Sequence, residues 1–523
     1  MDLTRKYLAG RWPLWLLVLL QAAVILPFHY TTEFGERDSY RMFLGAFDSI
    51  RSGAWFDSSL LYNREASFGY YGFLYLLAPL FGRTPTALIE LMNWLSVVSV
   101  VLFMIPFYLV IERLTDTTAA IASGLVLIAT PVWWHCGVYG HPVTMALLFF
   151  FCGLALVGAC DVAPSIIVQF SAVMLFSAAL TFRFDATLLY LALAGVLWQA
   201  RKTHPIRWMR EGAIYVLIPL LLFEVLKHLL PAVTHGAAPP SVTGLLTRFE
   251  RTTNLHNSLR NFTIGITEGF TPILLLCCPI AIWLLLKRKQ IPLLLFVFAE
   301  VAANLVFFLL DPLPPRHFIL MVPAMSLSGA LVAMEALAAF QGKTTRYAGA
   351  MAGLATALLV AALSLALNGG PGFLSYLHSE YLDLSIINKQ VAAANKIAAD
   401  LVGLPSLGSP VVVLCDSNLV IAEMEKRAPG TTAIFNFMRD GNLVVGYHQV
   451  REGGNRFVMV EESWEEGNVK AFDKSGRFPD LPLLSAPFLT IPYTGTRRRL
   501  TVGSQAAARG NADYLISSTL PVM

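Results

Sequence analysis

Apolar residues fall along this chain in long blocks rather than in alternation. Eleven blocks occur, at about 12–28, 88–111, 119–134, 141–159, 165–181, 185–200, 212–230, 271–287, 291–310, 317–339 and 347–367. A hydrocarbon core of ~30 Å takes roughly 17–25 apolar residues per helical crossing. The pattern therefore predicts a polytopic α-helical membrane protein with about eleven spans.

The blocks are interrupted in three places, at residues 29–87, at 231–270 and from about 368 onward. Basic residues orient the spans. With the N-terminus inside, the inner segments hold Arg5, Lys6, Arg11, Arg113, Arg201, Lys202, Arg207, Arg210, Lys287, Arg288, Lys289, Lys343 and Arg346. The short outer loops hold Arg183 and Arg316. Such an excess marks the cytoplasmic side. The N-terminus is then cytoplasmic, and all three interruptions lie outside the cell membrane. Residues 1–367 form the transmembrane domain, and residues 368–523 an extracytoplasmic one. In that tail the text reads as helix (376–402), strand (410–415), helix (417–427) and further strands at "RFVMVEE", "FLTIPY" and "RRLTVG". The alternation predicts a small α/β domain.

Composition agrees. The chain is 56% hydrophobic and 14% charged, with a mean hydropathy of +0.61. A soluble chain carries about 25% charged residues. The net charge of +4, without a basic block interleaved with aromatics, excludes a nucleic-acid partner. The cysteines lie mostly inside apolar blocks and have no metal-ligand spacing. "WPLWLLVLLQAAVILPF" has no small-residue cleavage site after it and reads as a retained signal-anchor.

The first outer segment opens with "TEFGERDSYRMF" (32–43). On a helix from residue 38, Tyr40, Phe43, Leu44, Phe47 and Ile50 share one side; Asp38, Arg41, Gly45, Asp48 and Ser52 share the other. An amphipathic helix of this kind suits the membrane interface. Asp38 then stands at its start, over the mouth of the bundle. A solvated acid favouring a helix start, worth under ~1 kcal/mol, explains its presence equally well.

The layout resembles the C-type glycosyltransferase fold: a short N-terminal tail, one span, then an outer loop opening with acids and a Tyr. The nearest group is that of the protein O-mannosyltransferases and bacterial lipid A aminoarabinose or galacturonic acid transferases. "SFGYYGFLYLLAPLFG" (67–82) is similar to the second interfacial helix of that loop. "LTFRFDATLLYLAL" (180–193) and "PPRHFILMVPAMSLSGAL" (314–331) are similar to the basic span turn and the arginine-led outer start of a late span. Two departures stand out. His141, in "VYGHPVTM", occupies the place where the family often has an acid, and Arg316-His317 replaces Arg-Tyr.

The resemblance implies an enzyme that transfers a sugar from a polyprenyl-phosphate donor to an acceptor hydroxyl on a lipid, glycan or protein, at the outer face of the inner membrane. Asp38 is the implied general base. Glu36, Tyr40, Arg41, Tyr70, Tyr71, His141, Arg183, Arg316 and His317 are the implied substrate-binding residues. A carboxylate within reach of the attacking hydroxyl and fixed cations on the departing phosphate are what the chemistry requires. One displacement inverts the anomeric centre. Glu36 and Asp38 alone fall short of the roughly six oxygens a hard cation prefers, so no metal is expected.

Plainer roles compete for each residue. Arg183 pairs as readily with Asp185 across a turn, and Arg316 suits a snorkelling anchor. His141 before Pro142 suits a helix cap, and Tyr70 and Tyr71 suit interfacial aromatics. Glu224, Lys227 and His228, spaced to meet on one helix face, satisfy each other. Glu300, mid-span one turn before Asn304, is either a functional acid or packing glue. Two other functional classes compete as well. A secondary transporter lacks support, because no inverted repeat or matched pair of broken helices is present. A non-catalytic scaffold for envelope assembly is opposed only by Asp38 and its arginines.

Overall fold

Each of the eleven apolar blocks forms a helix in the computed structural model. The structure describes residues 11–26, 37–53, 64–130, 132–133, 137–138, 140–159, 165–201, 205–229, 272–308, 319–341 and 346–367. In the tail it describes 411–415, 422–423, 426–427, 432–436, 457–462, 489–492, 499–503 and 512–519. The helices are α1 (Trp12–Ile25), α2 (Arg37–Ser52), α3 (Arg64–Phe81), α4 (Pro85–Leu114), α5 (Thr117–Ala129), α6 (Val143–Ala159) and α7 (Ile166–Phe182). A 3-10 turn, Phe184–Leu189, leads into α8 (Tyr190–Arg201), followed by α9 (Pro205–Leu229), α10 (Pro272–Lys287), α11 (Ile291–Phe308), α12 (Val322–Gln341) and α13 (Arg346–Leu367).

Side-chain caps fix several starts. Thr84 Oγ1 accepts from the Ala87 amide at 3.3 Å, Asp116 Oδ1 from Ala119 at 2.8 Å, and Ser165 Oγ from Val168 at 3.4 Å. Each satisfies an amide that the first helical turn leaves open. Pro85 occupies the first turn of α4, where a missing N–H costs nothing.

Among the described residues, two helices, Pro85–Leu114 and Ile319–Ala339, are by themselves long and apolar enough to cross a membrane; the others of that character are shorter. The surface supplies a separate argument. Leu76, Leu80, Ile166 and Ile167 are 72–82% exposed, although Leu and Ile of a water-soluble chain are mostly buried. An outer surface of this kind matches hydrocarbon rather than water. Inside, neighbouring helices pack in pairs: α6 with α7 and α4, α5 with α13 and α12, α8 with α11, and α7 with α9 and α3. Gln21 donates from Nε2 to the Val100 carbonyl and so ties α1 to α4 within this core. Two ion pairs link helices: Arg11 pairs with Glu112 at 2.8 Å, and Arg288 pairs with Glu335.

The apolar side of α2 is not left for lipid. Phe43, Leu44, Phe47 and Ile50 are at most 5% exposed, Phe43 and Phe47 stack at 5.7 Å, and the helix packs against α3 and α4. The wheel located the apolar side but not its covering, which depends on α3 folding back over it.

In the tail, β1 (Val411–Cys415), β2 (Thr432–Asn436), β3 (Phe457–Glu462), β4 (Leu489–Pro492), β5 (Arg499–Gly503) and β6 (Ala512–Thr519) form one sheet in the order β2-β1-β3-β6-β5-β4. β2, β1, β3 and β6 run parallel, and β5 and β4 antiparallel. Val413 of β1 faces Ile434 on one side and Val458 on the other. The strands expected at 410–415, "RFVMVEE", "FLTIPY" and "RRLTVG" are present; β2 and β6 are additions. The helix expected at 376–402 lies outside the described residues.

Candidate active site

The loop from α5 to α6 folds inward. Val132, Trp133 and Val138 are buried, and Trp133 packs on Phe103 at a centroid distance of 4.7 Å. The loop ends at Gly140, whose φ of 69° lies in the left-handed region that only glycine adopts without strain. This turn aims the Gly140 carbonyl at α3, where the Tyr70 hydroxyl donates to it at 3.1 Å. It also delivers His141, 3% exposed, to the first turn of α6.

Three hydrogen bonds set the His141 position. Its carbonyl accepts from Ser96 Oγ of α4 at 3.3 Å and from Thr144 Oγ1 at 3.5 Å, and its Nδ1 accepts from the Val143 amide at 3.3 Å. Nε2 on the other side of the ring lies 3.3 Å from Arg183 Nη1. Arg183 ends α7 in extended conformation, φ −151° and ψ 111°, with its own amide bonded back to Ala179. It carries no acceptor, so it can only donate to the ring. A neutral imidazole has one lone pair, which serves either Val143 or Arg183. A protonated ring serves neither and faces a guanidinium. Both partners therefore lie within hydrogen-bond reach of one ring, whose single lone pair serves one of them at a time.

Packing holds this group together. Phe182, next to Arg183, meets Tyr70 edge-on at 6.2 Å and Phe73 at 5.8 Å, both on α3, and Phe149 of α6 at 5.3 Å. α3 approaches α7 so closely at Gly69 that any Cβ there would overlap Thr181. α2, which starts with Arg37 and Asp38, packs against α3 and α4, the helices that carry Tyr70 and Ser96.

Tyr70, His141 and Arg183 are thus brought together at one end of the bundle. Tyr71 is buried beside Tyr70, with ring centroids 6.4 Å apart, so both rings lie inside the protein rather than in an interfacial belt. Asp38, Tyr40 and Arg41 are placed by their backbone in the first turns of α2. Glu36, Arg316 and His317 lie outside the described residues. The helix-cap role weighed for His141 is real and coexists with its contact to Arg183. Sequence reasoning missed Ser96, Gly140 and Gly69. Gly140 and Gly69 stand in the "G-H-P" and "F-G-Y-Y" text; nothing local marks Ser96.

No protein-family model matches the chain, and no curated protein matches it. Among solved structures, it is similar to the oligosaccharyltransferase AglB of Archaeoglobus fulgidus in complex with an inhibitory peptide and a dolichol-phosphate. That likeness has a TM-score of 0.50 at 10% identity, over 83% of this chain and 65% of that one. ArnT of Cupriavidus metallidurans bound to undecaprenyl phosphate gives 0.49 at 14% identity, over 80% of this chain and 85% of that one. The same ArnT in its apo state gives 0.47 at 12%, over 88% and 94%. The chain spans less than two thirds of the length of the archaeal oligosaccharyltransferase. The chain shares the fold of this oligosaccharyltransferase.

Proposed function

We propose that this protein is a membrane glycosyltransferase that moves a sugar from a polyprenyl-phosphate donor to an acceptor hydroxyl at the outer face of the cell membrane. The observation that carries this reading is the convergence of Tyr70, His141 and Arg183 on the C-type glycosyltransferase fold. A guanidinium set against a histidine ring, in a protein whose helix Arg37–Ser52 carries Asp38 in its first turn, suits transfer away from a phosphate.

In this reading the Asp38 carboxylate takes the proton of the acceptor hydroxyl. The freed oxygen attacks the anomeric carbon from the face opposite the phosphate. The bond between that carbon and the phosphate oxygen breaks, and the electron pair leaves with the lipid phosphate. Arg183, oriented by His141, meets the charge that develops there, and Arg316 adds a second cation. One displacement inverts the anomeric configuration. The guanidinium groups supply the positive charge, so no metal is required. Glu36, Tyr40, Arg41 and His317 complete the substrate surface, with Tyr71 packed beside Tyr70 inside the protein. In this reading the tail that carries the six-stranded sheet is extracytoplasmic.

Lipid extracts test this. Cells lacking the protein should accumulate one polyprenyl-phosphate-linked sugar, and restoring the parent chain should clear it. An unchanged profile of lipid-linked sugars would contradict the proposal.

A further inference from the structure

Lys227, in the last turn of α9, is 3% exposed although it carries a cation. Among the described residues its one carboxylate is Glu224, at 3.4 Å, and that side chain is itself 48% exposed. The Phe223 ring lies 5.9 Å from Nζ and supplies the only other stabilising contact described. An ammonium has three N–H donors and loses several kcal/mol of hydration when buried. One long contact and a phenyl face do not offset that. The spacing of Glu224, Lys227 and His228 predicts a self-satisfied trio; the Glu224–Lys227 pair forms, and among the described residues it engages one of the three ammonium donors.

The location links this cation to the site. Phe223 packs on Phe184 at 4.9 Å and on Phe68 at 5.3 Å. Phe184 is the neighbour of Arg183, and Phe68 lies two residues before Tyr70. Phe223 thus connects Lys227 to the segments that carry Arg183 and Tyr70.

We propose that Lys227 is a further anion-binding residue of this site, and that it receives the phosphate of the polyprenyl-phosphate lipid. The proposal rests on the glycosyltransferase reading above and adds the residue that anchors the lipid phosphate. Arg183 then faces the phosphate as a planar fork, and Lys227 as a point charge able to follow it when the sugar leaves.

The test uses the purified full-length protein in nanodiscs and measures binding of undecaprenyl phosphate. Undecaprenol serves as the uncharged control, and phosphatidylglycerol as a second source of lipid phosphate. Lys227→Met should weaken undecaprenyl phosphate binding about tenfold or more, and Lys227→Arg by no more than about threefold, because a cation remains. Undecaprenol binding should not change. Glu224→Gln, which removes the competing carboxylate, should tighten undecaprenyl phosphate binding, and this keeps the inference testable if the Met variant fails to fold. Parent-like binding by Lys227→Met, or no tightening by Glu224→Gln, overturns the assignment. An equal loss for phosphatidylglycerol overturns it too, by making Lys227 a general headgroup contact. A parent protein that does not distinguish undecaprenyl phosphate from undecaprenol contradicts the glycosyltransferase reading itself.

Discussion

Arg183 Nη1 stands 3.3 Å from His141 Nε2, across 42 residues of sequence. The two residues meet because α6 and α7 form a hairpin of equal arms, 17 residues each. A residue just before the first arm and one just after the second must emerge at the same end. The family resemblance leads to an acid at the His141 position. A carboxylate there would form an ion pair with Arg183, whereas an imidazole meets the guanidinium without bringing a negative charge.

Two substitutions separate the roles of His141. Asn places an oxygen near the position of Nδ1 and keeps the cap on the Val143 amide; Gln reaches toward the position of Nε2 and keeps the acceptor for Arg183. His141→Asn should retain the parent's melting temperature and lose activity, about 10-fold or more for one hydrogen bond to a charged group. His141→Gln should retain more activity and lose about 1 kcal/mol of stability with the cap. Calorimetry and sugar-transfer rates on the same preparations check this. Equal activity in the two variants would contradict a role for Nε2.

A great deal of this fold was legible in the sequence, because lipid imposes a simple rule. Every apolar block of near-span length became a helix, and basic residues alone suggested an orientation. The site was legible only as separate residues. Nothing local indicates that Tyr70 caps the Gly140 carbonyl, since that bond depends on α3 lying against α7, which in turn depends on Gly69 having no side chain. The burial of Lys227 was hidden for the same reason. Helical spacing brought it to Glu224, but the rings of Phe68 and Phe184 come from two other elements.

Removing the Tyr70 hydroxyl tests how the loop is held. Tyr70→Phe leaves the Gly140 carbonyl without its donor and should cost about 1 kcal/mol, read as a lower melting temperature. Gly69→Ala drives a methyl into Thr181 and should cost about 1–3 kcal/mol by overpacking. Both should also slow transfer, since each displaces His141 from Arg183. A Gly69→Ala protein as stable as the parent would contradict the close contact of α3 with α7.

The orientation carries its own expectation. A reporter active only in the cytoplasm, fused after Met523, should be silent, and one fused ahead of Arg5 should be active. The excess of basic residues on the inner segments motivates this. A bright C-terminal fusion would place Asp38 and Arg183 at the wrong leaflet.

The central claim is that Asp38 accepts the proton of the acceptor hydroxyl, and single-turnover sugar transfer by purified Asp38→Asn protein tests it most directly. The amide matches the carboxylate in shape but cannot take a proton at neutral pH. Transfer should fall about 10²–10⁴-fold, the usual contribution of a general base. Donor binding and melting temperature should stay at the parent's values, and Glu36→Gln should cost far less. Transfer by Asp38→Asn at the parent's rate would contradict the account.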